Sequence, residues 1–517
     1  MEMDVIVFFA GLCLVSAEFF SDLSHVEKFL QNKESSLRKK YRPFYHLTAP
    51  EGWISSPTGF TVFKRKYHLF YQYYPYNGAW GHMSWGHAVS SDLIDWVHYP
   101  SAIIPKDYYD KHGCLAGTAL VRNNFLTLFY TGTVLTENET VQTQNLALSG
   151  DGTLFQKYLY NPLVRDSPTG IGEIRNPKVW RFRNVWYMVL GTTSRQRHGQ
   201  LVLYTSNDMF NWKLNGTLTE SYGDMGYIWE SPDIFELNGY HVLILSVQGI
   251  EADGYRFRNL YQNGYVIGFF NYRKAKFDDL EVSTATFHEL DYGHDFYGAK
   301  SLRAPDGRRL LVAWLGMWES NFVESTAGWA SMLTLIREVK INKHGRLLLM
   351  PIREIVELRT EMLENAWYNP GEVFDAESRS FELIANSSSV DADVGIVFEW
   401  KDGRYAVGYS SNHEYIMIDR GGVDGVRRAY WSPKDAVNLR IFVDASCIEV
   451  FCGEGEVVFS SRVYPKAMNI RISGEAQLHI VQYRLRRSAG FDIKLAKRLK
   501  EDDLHKYNLF THPSENQ

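Results

Sequence analysis

Three short segments of this chain place polar side chains of chemical interest beside tryptophan, proline or glycine. They are Trp53-Ile-Ser-Ser-Pro-Thr-Gly59, Arg175-Asn-Pro-Lys178 and Trp229-Glu-Ser-Pro-Asp233. A carboxyl group such as that of Glu230 can transfer a proton in acid–base catalysis. A serine hydroxyl attacks only when a base lies beside it, and an asparagine forms hydrogen bonds without carrying charge. No metal-ligand spacing is present, so we expect neither a metal nor a cofactor.

Composition narrows the classes of protein to which the chain can belong. At 517 residues it is too long for one ordinary core and suits two domains. Aromatic residues make up 15% of it, which fits a β-rich protein and also sugar binding, where flat rings stack on sugar faces. The net charge of −5 gives no reason to expect nucleic acid or a membrane as a partner.

A repeated apolar run predicts the elements that position these segments. Each copy is a short β-branched or aromatic run that closes on a small or polar residue, and the copies start 54 to 69 residues apart. The five copies are Tyr67–Tyr73, Leu126–Gly132, Trp186–Gly191, Tyr240–Ser246 and Arg309–Gly316. Five β-units at a long period predict a five-bladed propeller, whose innermost strands converge on one channel. The alternative is an irregular β-sandwich with accidental periodicity.

The pattern changes after residue 350. A charged stretch over 351–368 predicts a connector or short helix, and alternating strands over 369–486 predict an antiparallel β-sandwich. The chain is thus predicted to be all-β. The predicted parts are a secretory signal over 1–17, a lead segment over 18–40, the propeller over 41–350, the connector, the sandwich, and a polar tail over 487–517 with a possible helix over 493–500.

Two further features favour secretion. The apolar run over 5–17 is too short to span a bilayer and ends in the small-residue pattern Val15-Ser-Ala17. Three glycosylation sequons follow, at Asn138, Asn215 and Asn386. Cys13 would leave with the signal, so Cys114, Cys447 and Cys452 can form at most one disulfide. Because Cys447 and Cys452 are five apart in one predicted strand, they should face opposite sides and stay unbonded to each other.

Several ordered motifs resemble glycoside hydrolase family 32, the invertases and fructanases, over roughly residues 41 to 485. In addition to the three opening segments, the motifs are Phe70-Tyr-Gln-Tyr-Tyr-Pro75, Trp80-Gly-His-Met-Ser-Trp-Gly-His87, Gly113-Cys-Leu-Ala-Gly-Thr118, Asp291-Tyr-Gly-His-Asp-Phe-Tyr297 and Leu439-Arg-Ile-Phe-Val-Asp444. The resemblance implies a five-bladed propeller followed by a β-sandwich. It also implies a small carbohydrate as partner, such as sucrose or another β-fructoside.

Carried over residue by residue, the resemblance implies an incomplete catalytic site. Retaining hydrolysis of a fructosidic bond needs a nucleophile and an acid/base, two carboxyl groups about 5–5.5 Å apart. The acid/base position is Glu230, which is retained. The nucleophile position is Ser56 and the transition-state stabiliser position is Asn176, so both carboxylates are lost. The substrate-binding positions are Trp53, Ser55, Gln72, Trp80, Leu115, Ala116, Arg175 and Trp314.

Three interpretations remain open from the sequence. The first is a secreted β-fructofuranosidase-like protein that hydrolyses β-fructosides very slowly or not at all. The second is an active sucrose hydrolase that pairs Glu230 with a substitute nucleophile, Glu51 or Asp233 being nearest in sequence. The third is a sugar-binding module in which the sandwich recognises the ligand. Asp291 and Asp295 are equally compatible with site and structural roles, whereas His82, His87 and His294 are expected to pack or to support other side chains.

Overall fold

The computed structural model describes residues 41–278 and 280–488. The predicted signal, the lead segment and nearly all of the tail, including Cys13 and the possible helix over 493–500, lie outside the described residues. Within the described ranges no helix is both long and apolar enough to cross a membrane.

Five antiparallel sheets follow one another along the first part of the chain, as the repeat predicts. Blade 1 contains β1 (Gly52–Phe63), β2 (Lys66–Tyr74), β3 (Ser84–Ser90) and β4 (Trp96–Ile103). Blade 2 contains β5 (Cys114–Arg122), β6 (Phe125–Leu135), β7 (Thr140–Ser149) and β8 (Gln156–Lys157). Blade 3 contains β9 (Ile174–Phe182), β10 (Val185–Thr193), β11 (Gly199–Ser206) and β12 (Lys213–Glu220).

The last two blades carry extra short strands. Blade 4 contains β13 (Ile228–Leu237), β14 (Tyr240–Gln248), β15 (Tyr261–Asn271), β16 (Lys276–Asp278) and β17 (His288–Glu289). Blade 5 contains β18 (Tyr297–Arg303), β19 (Arg309–Leu315), β21 (Met332–Leu333), β22 (Arg337–Ile341) and β23 (Leu347–Pro351). The 3-10 helix Val323–Ala327 precedes β20 (Trp329–Ala330), which pairs in parallel with β1 and so joins the fifth blade to the first.

The first strand of each blade is the innermost, and these five strands form a closed ring. Strand β1 contacts β5, β5 contacts β9, β9 contacts β13, β13 contacts β18, and β18 returns to β1. The repeated runs in the sequence are the second strands, β2, β6, β10, β14 and β19. The prediction of a five-bladed propeller is therefore confirmed, and the regular signal comes from strands that lie one layer outside the channel.

The turns after the third strands repeat as well. In blades 1, 2 and 3 a serine hydroxyl donates to the aspartate two residues later, at 2.9 Å in each case: Ser90 to Asp92, Ser149 to Asp151 and Ser206 to Asp208. These aspartates also accept from backbone N–H groups and so help to fix the turn.

A two-sheet sandwich follows the 3-10 helix Arg353–Leu358. One sheet has the order β24-β35-β26-β31-β32-β33 and the other β25-β34-β27-β28-β29-β30. The strands are β24 (Arg359–Tyr368), β25 (Val373–Asp375), β26 (Phe381–Ser387), β27 (Val394–Trp400), β28 (Gly403–Ser410), β29 (Tyr415–Asp419), β30 (Val426–Tyr430), β31 (Asn438–Asp444), β32 (Cys447–Cys452), β33 (Val457–Arg462), β34 (Met468–Gly474) and β35 (Leu478–Leu485).

One boundary differs from the prediction. The predicted connector over 351–368 holds the 3-10 helix, but its second half is β24, a full strand of the sandwich. Strand β24 lies at the edge of its sheet and is largely exposed, so its charged residues remain in water. An edge strand with polar side chains has no apolar alternation to mark it in the sequence.

A buried ionic network joins the propeller to the sandwich. The Arg337 guanidinium lies 2.8 Å from the Asp291 carboxylate and 2.7 Å from that of Glu449, with all three side chains fully buried. Asp295 accepts from Arg420 at 2.7 Å and from the backbone of Arg462 at 2.8 Å. Asp291 and Asp295 are therefore structural carboxylates of the domain interface.

His294 and His87 have packing roles, whereas His82 is exposed. His294 contacts the Ser461 hydroxyl and the Gly425 carbonyl, both at 2.9 Å, within the same interface. His87 is buried in blade 1 against His68, at 2.9 Å. His82 is exposed and packs edge-on to the ring of His112. The three described cysteines are all buried free thiols, and Cys447 and Cys452 face different apolar clusters, as predicted.

Buried histidine predicts a pH dependence of stability. Burial and the nearby Arg42 charge lower the pKa of His98 to about 4, against a weaker opposing hydrogen bond with the Thr48 backbone. An unfolded histidine titrates near 6.5, so the stability from neutral His98 is complete above that pH and is lost as the pH falls towards 4. We expect the decrease in unfolding free energy between pH 7.5 and pH 5 to be about 2 kcal/mol smaller in His98→Gln than in the parent.

Urea unfolding at the two pH values measures this difference. Because the comparison is between variants, contributions from other titrating groups cancel. His413→Gln is the control, since His413 is an exposed histidine on a turn of the sandwich. An equal pH response in His98→Gln and His413→Gln would contradict the prediction.

Candidate active site

Every innermost strand is interrupted by a β-bulge at the same depth. The extra residues fall at Ser55–Ser56 in β1, Ala116 in β5, Asn176–Pro177 in β9, Ser231–Pro232 in β13 and Gly298–Ala299 in β18. A bulge turns one side chain out of the regular alternation of a strand. Five bulges around one ring therefore aim five positions at the mouth of the channel.

Left-handed backbone conformations accompany three of these bulges. The φ angles are 61° at Asn176, 47° at Ser231 and 67° at Gly298. Asn and Asp tolerate this region better than most residues. Gly298 has a second reason to lack a side chain, because a Cβ there would lie 2.3 Å from the Ser56 hydroxyl oxygen. Ser56 thus lies directly against the β18 backbone.

Directly before the bulges, three side chains form a connected set that we call the pocket layer: Arg175, Glu230 and Tyr297. Arg175 donates to Glu230 Oε2 from Nε at 3.2 Å and lies 3.1 Å away through Nη2. The Tyr297 hydroxyl donates to Oε1 at 3.0 Å. Gln248 adds an amide donor to Oε2 at 3.2 Å. Both carboxylate oxygens of Glu230 are therefore held by donors from neighbouring blades.

Three residues further along the same strands lies a second set, the channel layer of Lys178, Asp233 and Lys300. Asp233 is fully buried, forms an ion pair with Lys178 and accepts from the Ser301 backbone at 2.6 Å. Burial would raise the pKa of Asp233, but the Lys178 and Lys300 charges outweigh it and hold the pKa below its ordinary value. Burial lowers the pKa of Lys300 to about 8, partly offset by Asp233.

The two altered positions contact residues next to Glu230 and next to its partner Tyr297. The Asn176 Oδ1 accepts from the Ser231 backbone, next to Glu230, at 3.3 Å. Ser56 lies against Gly298, next to the Tyr297 that binds Glu230. Within the described residues Ser56 makes no hydrogen bond to a histidine or a carboxylate, so the serine has no base to activate it.

The remaining residues predicted to contact substrate lie either on the inner strands of blades 1 and 2 or at the exposed rim of the pocket. Gln72 donates to the Cys114 carbonyl at 2.9 Å, and the Leu115 carbonyl accepts from Trp85 at 3.0 Å. Ser55 and Ala116 are buried on their bulges. At the rim Trp80 is 53% exposed, with its ring 6.4 Å from that of Trp318.

Trp53 and Trp314 occupy less accessible positions than predicted for sugar contacts. Trp53 is nearly buried and packs on Trp314, Trp318 and Phe322. Trp314 is completely buried and donates its indole N–H to the Ser331 hydroxyl. Trp314 packs against Trp53, and its position in a second strand, not an innermost one, explains its burial. Its role as a contact residue stays a prediction.

Several residues of the pocket were not predicted from the sequence. Tyr297 stands at the end of a quoted motif but carried no assigned role, and Gln248 lies two residues beyond a repeated run. Lys178 and Lys300 directly follow the bulges of β9 and β18, a placement that only the structure reveals. Among the described residues, no group of three or more His, Cys, Asp or Glu side chains could hold a metal ion.

The glycosylation sequons lie away from this pocket. Asn138 is exposed in the turn between β6 and β7, and Asn215 is exposed on β12. Asn386 is half-buried within β26 of the sandwich. Glycosylation at these positions, like secretion, stays a prediction.

A five-bladed propeller with a carboxylate at the mouth of its channel, followed by a β-sandwich, defines a glycosidase-like protein. Residues 46–351 match the model of the glycosyl hydrolases family 32 N-terminal domain, and residues 354–484 match that of the C-terminal domain. The chain is 35% identical to the raffinose invertase of Escherichia coli over 466 residues, 87% of this chain and 95% of that protein.

Similar solved structures indicate the same family. The family 32 β-fructofuranosidase BmSUC1 of Bombyx mori has 38% identity and a TM-score of 0.85, covering 91% of this chain and 99% of its own. A variant of that enzyme, solved in complex with sucrose, has 39% identity and a TM-score of 0.84 over the same shares. The chain therefore belongs to glycosyl hydrolase family 32 and is β-fructofuranosidase-like in sequence and fold.

Proposed function

We propose that this protein is a secreted family 32 member that binds a β-fructoside such as sucrose and hydrolyses it very slowly or not at all. The observation that carries the proposal is the pair Ser56 and Asn176, two uncharged residues on bulges that face the same pocket as Glu230. Retaining hydrolysis needs a carboxylate nucleophile about 5–5.5 Å from the acid/base.

The competing interpretation of a substitute nucleophile fits the contacts less well. Asp233 is buried in the channel layer and engaged by Lys178 and the Ser301 backbone. Glu51 is buried at the start of β1 near Tyr73, whose pKa is raised by burial and by the Glu51 charge. It precedes Ser56 by five residues of extended chain, more than about 10 Å. Either carboxylate would have to leave its present environment to attack a sugar.

Turnover by the purified protein tests the proposal. Glucose release from sucrose should stay at the level of a Glu230→Gln variant, because the retained acid/base has no nucleophile to assist. A parent that releases glucose at ordinary enzyme rates, and loses this activity on Glu230→Gln, would contradict the proposal and favour the substitute nucleophile.

Sugar binding should depend on the exposed rim. Trp80 offers a free indole face beside the pocket, and ring stacking on an aromatic is worth about 1 kcal/mol. We expect Trp80→Ala to weaken the binding of sucrose at least about fivefold by calorimetry. Trp367→Ala is the matched control, since Trp367 is 54% exposed but lies on the sandwich strand β24. An effect on binding in Trp367→Ala alone would instead place recognition on the sandwich.

A further inference from the structure

The centre of the propeller carries an excess of positive charge. In the pocket layer Arg175 balances Glu230, and in the channel layer Lys178 and Lys300 face the single carboxylate of Asp233. The innermost strands therefore present a net charge of about +1 around the pocket. Among the described residues the Lys300 ammonium has one hydrogen bond, to the Pro232 carbonyl at 3.1 Å, and Lys300 is almost fully buried.

The two altered bulge positions now offer hydrogen-bond donors. Asn176 Oδ1 accepts from a backbone N–H, which can only donate, so the amide orientation is fixed and the Nδ2 group points away from Ser231. Among the described residues neither Asn176 Nδ2 nor the Ser56 hydroxyl has a hydrogen-bond partner, and Asn176 is 5% exposed. A carboxylate at either position would accept hydrogen bonds; these two groups can donate them.

We propose that this pocket prefers a sugar acid, a ketose whose carboxylate occupies the space between Ser56 and Asn176, over a neutral fructosyl unit. The inference deepens the proposed function and rests on it, because it assumes that the pocket still holds a sugar ring. The donors are Ser56 Oγ, Asn176 Nδ2 and Arg175. Lys178 follows Asn176 by two residues of β9, roughly 7 Å along the strand, and Lys300 lies in the same channel layer. An anion restores charge balance in a poorly solvated site, where charge-assisted hydrogen bonds are strongest.

Other charged groups near the pocket do not cancel this excess. Glu173 lies 3.9 Å from Arg175 on its outer side and is 41% exposed, so water screens it. Glu319 is exposed and lies near Tyr261, whose pKa burial raises to about 12, with smaller contributions from Glu230 and Glu319. The buried Asp110 is engaged by Lys157 at 2.6 Å and by Tyr130 at 2.8 Å behind β5.

A matched pair of ligands tests the preference. 2-Keto-D-gluconate carries a carboxylate where D-fructose carries the C1 hydroxymethyl group, and the rest of the two molecules is the same. Calorimetric titration of the full-length protein at pH 7 and low salt should show the acid binding on the order of 10- to 100-fold more tightly than D-fructose. Equal affinities, tighter binding of D-fructose, or no binding of the acid would overturn the inference.

One near-isosteric variant tests which side chain causes the preference for the sugar acid. Asn176→Asp keeps the size of the side chain, tolerates the left-handed backbone and turns the Nδ2 donor into an acceptor. We expect the preference for the acid to disappear in this variant. Lys274→Gln removes an equal charge from an exposed turn of blade 4 and should leave the preference unchanged. A preference that survives Asn176→Asp, or that vanishes equally in Lys274→Gln, would overturn the assignment to this pocket.

Failure of this inference and failure of the proposed function give different results. Glucose release from sucrose by the parent contradicts the proposed inactivity, whatever the ligand preference. If the parent does not hydrolyse sucrose and binds D-fructose as tightly as 2-keto-D-gluconate, the proposed inactivity is supported and only the inferred preference for a sugar acid is contradicted.

Discussion

The Ser56→Asp/Asn176→Asp double variant is expected to release glucose from sucrose, whereas the parent does not. Ser56 lies at the β1 bulge against Gly298, and Asn176 has a backbone conformation that aspartate also adopts. Glu230 is already held in place by Arg175, Gln248 and Tyr297. The substitutions therefore supply the two missing carboxylates to a pocket whose acid/base is in position.

The size of the gain follows from what a nucleophile contributes. Its removal from a well-studied protease costs on the order of 10⁶ in turnover. An engineered nucleophile lacks perfect positioning, so we expect a gain of at least about 10³ in kcat/KM over the parent. Ser56→Asp alone should recover part of this gain and Asn176→Asp alone almost none, because the stabiliser acts only when a nucleophile is present.

Two controls separate chemistry from refolding of the pocket. Ser56→Asn/Asn176→Asp matches the double variant in size but lacks the nucleophile, and should stay silent. Adding Glu230→Gln to the active double variant should abolish its activity. Continued silence of a folded Ser56→Asp/Asn176→Asp protein would mean that the pocket differs from an active one at more positions than these two.

Arg337→Leu is expected to give the largest loss of stability of any variant considered for this protein. Arg337 of blade 5 is completely buried between Asp291, in the loop that joins blades 4 and 5, and Glu449 of β32, and it also donates to the Ser460 hydroxyl at 2.7 Å. Removing one partner of a buried ion pair leaves uncompensated charge in a low-dielectric interior, at a cost of about 3–5 kcal/mol. Among the described residues Asp291 would lose its ion-pair partner and Glu449 would keep only His46, at 2.9 Å, so we expect a loss within that range.

Thermal unfolding followed by tryptophan fluorescence measures this effect. Arg337→Lys should be less destabilising, because a single terminal nitrogen of Arg337, Nη2, makes all three polar contacts and an ammonium can replace part of them. Lys466→Gln, which breaks an exposed ion pair with Asp402, should leave the midpoint unchanged. If Arg337→Leu unfolds at the parental temperature, the network does not stabilise the domain interface.

The same network explains why truncation cannot decide which domain binds sugar. Deleting the chain from about residue 365 would remove Glu449 and Ser460 and would expose Arg337 and Asp291 of the propeller. Loss of binding after such a deletion could then reflect an unfolded propeller. The paired point variants Trp80→Ala and Trp367→Ala leave the interface intact and address the same question.

The fold could be predicted because the second strands of the blades are regular. In β2, β6, β10, β14 and β19, buried positions follow one another without interruption, so their apolar runs repeat clearly in the sequence. The innermost strands could not be recognised in the same way, because each carries a bulge that breaks the alternation of period two.

The candidate site was predictable in part, for a related reason. Glu230, Arg175, Ser56 and Asn176 belong to short motifs around the bulges, and the structure brings them to one pocket. The contact of Tyr297 with Glu230 crosses from blade 5 to blade 4, and that of Gln248 crosses from β14 to β13 within blade 4, so no local pattern encodes them. The same holds for Asp291 and Asp295, whose motif lies in the propeller but whose partners lie mainly in the sandwich.

The five bulges at one depth have a consequence for how this scaffold tolerates change. The bulge positions contribute little to the apolar clusters that hold the blades together. They are Ser56, Ala116, Asn176, Ser231 and Gly298. The backbone conformation at each bulge is set by its strand partners, so the residue there can be exchanged at small cost to folding as long as that conformation permits it. Architecture and chemistry are therefore encoded largely by separate sets of residues. A ligand specificity can be rewritten at Ser56, Ala116, Asn176 and Ser231 while the same propeller closes around them, whereas Gly298 must remain glycine because a Cβ there would lie 2.3 Å from the Ser56 hydroxyl oxygen.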